Sequence, residues 1–325
     1  MRYEPWVRVI QRHLCACLSA LLLVVHTPAA AESLVAKQIT VLYPVIGEPY
    51  RSIFAKMIEG IEDQARGRIN RIAIGTEPNQ QEIANDLRRH NARVLIALGR
   101  HGLNAVTHME RDLGISRIVV GGVISVQEAD VRNYTVASLT PDPALLLTRL
   151  QAFMPLARRV FVVYDPGQNA WLIRLAKIAA NARGINLVAY EATDFKTALL
   201  HYQKILATME SARDALWLPP DSTTVFEASV LLVLQEAWDR NLTVFSSNLA
   251  HVRRGALFSL YPNNLEAGRT LAKAALGTLA SAGAAQPGVT PLKALHLAVN
   301  VRTAAHLGLN LVAKQADFDL VFPEK

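Results

Sequence analysis

From Gln38 onward, short β-branched or apolar runs alternate with longer segments of helical period, and this alternation constrains the fold more than any other feature of the chain. It is the pattern of βαβ units, in which parallel strands form a sheet covered on both faces by helices. Strands are expected at Ile39 to Tyr43, Arg71 to Ile74, Val94 to Leu98, Ile118 to Val120, Arg159 to Tyr164, Asn186 to Tyr190, Ala215 to Leu218, Thr243 to Phe245 and Ala256 to Ser259. Several of these are continuously apolar, as strands buried on both faces are. Helix signals fall between them. Asp142-Pro143 opens the run Ala144 to Met154 with an N-cap oxygen and a preset first φ, and Gly184 closes Ala170 to Ala182. Between Leu265 and Leu279 apolar residues recur at helical spacing, with Asn263 or Asn264 available as cap.

Periodicity alone leaves two architectures open, a closed βα barrel and a pair of open sheets. The loops add to the picture. Polar Ser125 to Asn133, extended Tyr134 to Ser138 and the turn Pro141-Asp142-Pro143 read as a crossover between lobes, and Ser281 to Pro291 reads as a return linker. At the start of the chain, Arg2, Arg8 and Arg12 precede an apolar run from Leu14 to Val25 and the small residues Pro28-Ala29-Ala30-Ala31. This is the order of a secretory signal peptide, with cleavage expected after Ala31 and export to the periplasm. Both cysteines, Cys15 and Cys17, lie inside that segment, so the mature chain is expected to fold without disulfides. Cleavage removes three arginines and Glu4, taking the formal charge from +7 to about +5. The remaining basic residues are scattered and form no aromatic-interleaved stripe, so nucleic acid is not an expected partner.

In open α/β sheets ligands bind beyond the carboxyl ends of the strands. The residues at those points are Tyr43 after the first strand, Gly99 and Arg100 after the third, and Gly121 and Gly122 after the fourth. Later come Tyr164 and Asp165, then Asp221, Ser222 and Thr223, then Ser247 and Asn248, and last Tyr261. Such a set suits a small zwitterion, with N–H and hydroxyl donors for a carboxylate, an Asp for an ammonium and aromatics for an apolar body. Local readings compete for single members: the glycines ease strand-to-helix turns, and Asp221 or Ser222 caps a helix beginning near Thr224. Phosphate-loop, dinucleotide-turn and nucleophile-elbow motifs do not occur, and the histidines lack metal-ligand spacing. No cofactor, metal or catalytic residue is therefore expected.

The second half of the chain resembles a known family. Ala215-Leu216-Trp217-Leu218-Pro219-Pro220-Asp221-Ser222-Thr223, Thr243-Val244-Phe245-Ser246-Ser247, Arg254-Gly255-Ala256-Leu257, Glu266-Ala267-Gly268-Arg269 and Ala304-Ala305-His306-Leu307-Gly308-Leu309 follow in the order of its motifs. Met154-Pro155-Leu156-Ala157-Arg158-Arg159-Val160 with Tyr164-Asp165-Pro166 resembles the start of its second lobe. The family is that of ABC-type substrate-binding proteins which includes the tryptophan and tyrosine transport binding proteins. Ser247-Asn248 stands where members usually read Ser-Asp, and Gly121-Gly122-Val123-Ile124-Ser125 where they commonly show Val-Thr-Asp-Pro. The resemblance implies a type I periplasmic-binding fold: two Rossmann-like α/β lobes with parallel sheets, joined by a three-segment hinge. The expected division is residues 32–140 with 256–294 in lobe 1, and 141–255 with 295–325 in lobe 2. It further implies a non-enzymatic, monomeric binding protein that captures an amino acid or related small polar solute for an ABC permease. Within the same fold, a periplasmic sensor docking on a membrane receptor or histidine kinase is the alternative. Asp221 is then a ligand contact or a hinge-side anchor.

Overall fold

In the computed structural model, residues 39–324 are described except 68, 76–77, 110–114, 116, 125, 281–286 and 312–315. The expected signal peptide lies outside the described residues.

The first sheet begins with β1 (Ile39–Pro44), β2 (Asn70–Ile74), β3 (Val94–Leu98), β4 (Ile118–Val123) and β5 (Thr135–Pro141). Between them run α1 (Tyr50–Gln64), α2 (Gln80–Arg89) and α3 (Gly99–Met109). The second sheet takes β6 (Arg159–Tyr164), β7 (Asn186–Glu191), β8 (Asp214–Leu218), β9 (Thr243–Ser246) and β10 (Phe258–Pro262). Its helices are α4 (Pro143–Phe153), α5 (Pro166–Asn181), α6 (Phe195–Thr208), α7 (Glu227–Asp239) and α8 (Leu249–Arg254). The chain then returns through α9 (Asn264–Ala280) and β11 (Gly288–Leu292) to the first sheet. Last come β12 (Leu295–Asn300), α10 (Val301–His306) and β13 (Leu320–Phe322), which complete the second.

Strand order is β11-β5-β4-β3-β1-β2 in one sheet and β13-β12-β10-β9-β8-β6-β7 in the other. All pairs are parallel except β10 with β12. Of the two architectures that periodicity leaves open, the chain forms the pair of open sheets, each covered by helices, as the resemblance implies. The apolar runs explain the layers: every residue of β3 and β8 is buried, because helices lie on both faces of these central strands. Caps fall where short polar side chains precede the helices. Asp142 accepts from Ala144 N–H at 2.8 Å, and Asn263 accepts from Glu266 N–H at 3.1 Å.

The chain passes between the sheets three times, after β5, after β10 and after β11. These passages are tied together. Asp142 N–H donates to Leu292 O at 2.9 Å, and Asn263 N–H donates to Ala294 O at 3.0 Å. Three short neighbouring segments linked by backbone hydrogen bonds form the hinge of a two-lobed molecule.

Two expectations about the loops change. The crossover expected through Pro141-Asp142-Pro143 does occur there, but Thr135 to Pro141 before it is a strand of the first sheet, paired with β4 and β11, and the return linker contains β11 itself. The boundary at residue 256 moves as well, since Phe258–Pro262 pairs with β9 and β12 in the second sheet and the return occurs after Pro262. Both differences have one cause: β11 and β12 pair with strands distant in sequence, and such pairings leave no local periodic signal.

Candidate functional site

Because the strands of each sheet run parallel, their carboxyl ends gather at one edge, and in this protein the two edges face a common cleft of about 1200 Å³. Its lining includes Pro44 at the end of β1, Gly99 and Arg100 after β3, Gly122 to Ile124 at the end of β4, and Thr140 and Pro141 of β5. The second lobe contributes Asp165, Gln168, Pro219 to Ser222, Ser247, Asn248, Tyr261 and Pro262. Of the residues expected at the site, Gly99, Arg100, Gly122, Asp165, Asp221, Ser222, Ser247, Asn248 and Tyr261 are brought together here.

The walls differ in chemistry. On the first lobe, Ile46, Tyr50, Ile53, Phe54, Ile124 and Leu139 make an apolar patch, and Arg100, His101, Gln127 and Asp130 also line this side. Gly99 and Gly122 make room for the apolar patch. Both adopt positive φ, +71° and +72°, and a Cβ on either would lie 2.8 Å from the Phe54 ring. The two strand ends are therefore free of side chains because the ring rests on them. Phe54 is only 7% exposed, yet it forms part of the cleft wall.

The second lobe's wall is a polar network centred on Asp221, which is 5% exposed. One carboxylate oxygen accepts from the N–H groups of Thr223 and Thr224, at 3.0 and 2.9 Å. The other accepts from Asp165 N–H at 2.7 Å and from Asn169 Nδ2 at 2.8 Å. Asp221 thus joins the β6–α5 turn to the β8–α7 loop. Gln168 extends the network: its Nε2 donates to Asp165 and Thr223, and its Oε1 accepts from the Ser222 hydroxyl. Burial pushes the Asp165 carboxyl up, but hydrogen bonds from Gln168, Thr223 and Gly167 outweigh it and hold the group below its ordinary value.

Beneath Ser247 lies a buried pair. Ser246 Oγ and His251 Nδ1 are 2.8 Å apart, and the same oxygen accepts from Asn248 N–H at 3.0 Å. With Ser246 fully buried, the pair pins the turn that carries Ser247 and Asn248. Burial, helped by the charge of Arg254, pushes His251 down to about 4. The sign of the linkage follows. Below its ordinary value of about 6.5, the unfolded chain binds a proton that the folded chain refuses until about pH 4, so stability falls as pH drops through that window. The expected loss by pH 4 is about 3 kcal/mol. Denaturant midpoints measured from pH 7 to 4 check this: His251→Gln should flatten the profile relative to the parent chain, and parallel profiles would contradict it.

Four expected site residues stand elsewhere. Tyr43 lines a separate hollow of about 470 Å³ between β1, α1 and β2. Gly121 points away from the cleft, where a Cβ would strike the Leu271 side chain of α9 at 2.4 Å. Tyr164 turns to the adjacent strand, its hydroxyl donating to Glu191 at 2.8 Å, and burial together with that bond pushes the phenol up to about 12. Thr223 lies behind the wall, donating to Asp165 at 2.8 Å. For Tyr43, Gly121 and Tyr164 the reason is alternation: successive side chains of a strand point to opposite faces, so a residue at a strand's end has only one direction in which to meet the cleft. Residues that sequence reasoning missed, Tyr50, Phe54, Gln168 and Ile124 among them, sit on helices or on loop positions with no motif of their own. The glycines after β3 and β4 were the one legible trace of Phe54.

Among the described residues, no helix is long and apolar enough to cross a membrane, and no cluster of three or more His, Cys, Asp or Glu side chains could hold a metal ion.

Comparison with known proteins agrees with this geometry. Residues 38–315 match the family described as ABC transporter substrate binding protein. A comparison with curated protein sequences finds no match. Among solved structures, the chain is similar to the ligand-free, open form of a substrate binding protein with adhesive properties from Clostridium difficile. That pair shares 15% identity at a TM-score of 0.62, with 87% of this chain and 99% of the other covered. It is also similar to the Streptococcus pneumonia ABC domain in complex with L-Trp, at 15% identity and a TM-score of 0.55 over 87% of this chain and 98% of that one. A conserved domain protein from Vibrio cholerae aligns at 19% identity and a TM-score of 0.52, with coverages of 88% and 99%. At these identities the structural likenesses establish the type I periplasmic-binding fold. The sequence match spans most of the chain, and the protein belongs to the ABC transporter substrate-binding protein family.

Proposed function

We propose that this chain is the exported solute-binding component of an ABC-type importer. It works in the periplasm as a monomer, captures an amino acid or related small polar solute between its lobes, and presents it unaltered to an inner-membrane permease. The observation that carries the reading is the cleft itself, lined from both lobes at their converging strand ends and flanked by three hinge segments. A solute touching both walls favours the closed arrangement over the open one by its contacts to each, which is how capture becomes a signal to a partner. The basic, apolar start of the sequence supports export. The apolar patch of the first wall and the polar network of the second support a solute with one face of each kind.

Native mass spectrometry of the purified full chain tests the reading. A bound small molecule, released intact on denaturation, is the expected result. Thermal shift against amino acids and related solutes is the second arm, since a ligand at 100 times its Kd adds about 2.7 kcal/mol. A protein that carries no solute and responds to none, or that converts the molecule it binds, overturns the proposal.

A further inference from the structure

The hydrogen-bond network of the second lobe leaves a definite polarity at the cleft. Trp217, buried in β8, donates its indole N–H to Ser247 Oγ at 3.0 Å. An indole nitrogen only donates, so the Ser247 hydroxyl proton cannot return that bond. Ser247 N–H is already spent on Leu218 O at 3.0 Å, and the hydroxyl proton has no acceptor among the described residues. Beside it, Asn248 accepts from Ala250 N–H at 2.9 Å. A backbone donor at that distance requires the amide oxygen there and so fixes the amide's orientation. The Nδ2 group is left with two protons and no partner among the described residues, on a side chain that lines the cleft.

The acids of the same wall are largely occupied. Asp221 accepts four hydrogen bonds and Asp165 accepts three, all from groups of their own lobe. The third acid lining the cleft, Asp130, belongs to the first lobe. An incoming ammonium therefore finds Asp221 fully engaged and one acceptor position left on Asp165, whereas an oxygen acceptor finds two adjacent donors. Once closure removes water, an unmet donor is costly and a met one is selective.

From this we infer that Ser247 and Asn248 form a donor pair that reads a carboxylate or carbonyl oxygen of the solute, whose apolar body lies toward Phe54 on the opposite wall. The inference rests on the cleft being the solute site, and it names the functional group that the second lobe selects.

Matched ligands sharing one apolar body test it on the full chain: 3-phenylpropanoate, 3-phenylpropanamide and 3-phenylpropylamine, with 4-methylpentanoate and 4-methylpentylamine as an aliphatic set. The acids or the amide should bind by calorimetry and raise Tm, and the amines should not; the amide arm separates a carboxylate from a neutral carbonyl. Asn248→Asp keeps an oxygen for Ala250 N–H, so the ligand-free Tm should hold, while the acids lose about tenfold in affinity and the amines gain. Ser247→Ala should cost the acids a similar factor. Amines bound as tightly as acids by the parent chain, or an Asn248→Asp variant with unchanged preference, overturns the donor assignment alone. If no compound of the series binds but a solute co-purifies, its structure decides, and one without a carboxylate or carbonyl oxygen overturns the assignment. If nothing binds or co-purifies, the cleft reading falls and the inference with it.

Discussion

Alanine at Gly268 is expected to destabilise the protein by about 3 kcal/mol, and Gly60→Ala by a similar amount. The two glycines face each other's helices. A Cβ on Gly268 would lie 2.0 Å from Met57 O of α1, and one on Gly60 would lie 2.0 Å from Leu265 O of α9. Neither atom can yield, since each is backbone in the middle of a helical contact. The helices would have to part by roughly 1 Å or more, opening voids beside Met57 and Ile61, which are fully buried, and beside Ala267 and Leu271. The effect reaches the cleft because α1 also carries Phe54. Denaturant unfolding would show the loss as a shifted midpoint, with solute affinity falling alongside it. A variant as stable as the parent chain would mean that α1 and α9 do not meet this closely.

Asp221→Ala is the second large effect, expected to cost about 3 kcal/mol and to weaken solute binding. The substitution leaves four donors without their acceptor: the N–H groups of Asp165, Thr223 and Thr224, and Asn169 Nδ2. Asn169 is fully buried, so its loss is not made good by water as easily as that of the groups nearer the cleft. Asp221→Asn should recover little, because an amide nitrogen would face two of the donors that a carboxylate oxygen now accepts. Both variants read out in the denaturant midpoint and in calorimetric affinity. Full stability in the alanine variant would remove Asp221 from its anchoring role; full affinity with reduced stability would confine that role to folding.

How far the sequence reaches can be judged from particular elements. Strands such as Val94–Leu98 and Arg159–Tyr164 are visible as apolar runs because both of their faces are covered. The cap at Asp142 is visible because its acceptor serves a neighbour two residues away. By contrast, β11 pairs with β5 across some 150 residues, and nothing in Gly288 to Leu292 announces a partner at that distance. The candidate site divides in the same way. Its location at the strand ends follows from the βα order, and most of the named positions line the cleft. Their roles do not follow. Gly99 and Gly122 stand at strand ends where a ligand is expected, and the fold packs a phenyl ring against both. Asp221 reads in sequence as a helix cap, a ligand contact or a hinge-side anchor, and the fold surrounds it with four donors from two separate loops.

By itself, then, the order of residues determined the βα alternation, the two-layer covering of each sheet, and the edge at which a ligand would be met, since these depend on periodicity and on partners a few positions away. The tertiary structure alone decided which strands close each sheet and which polar atoms remain open to a solute. Those outcomes depend on hydrogen bonds and contacts between residues far apart in the chain, whose cost and reward appear only once the segments are packed together.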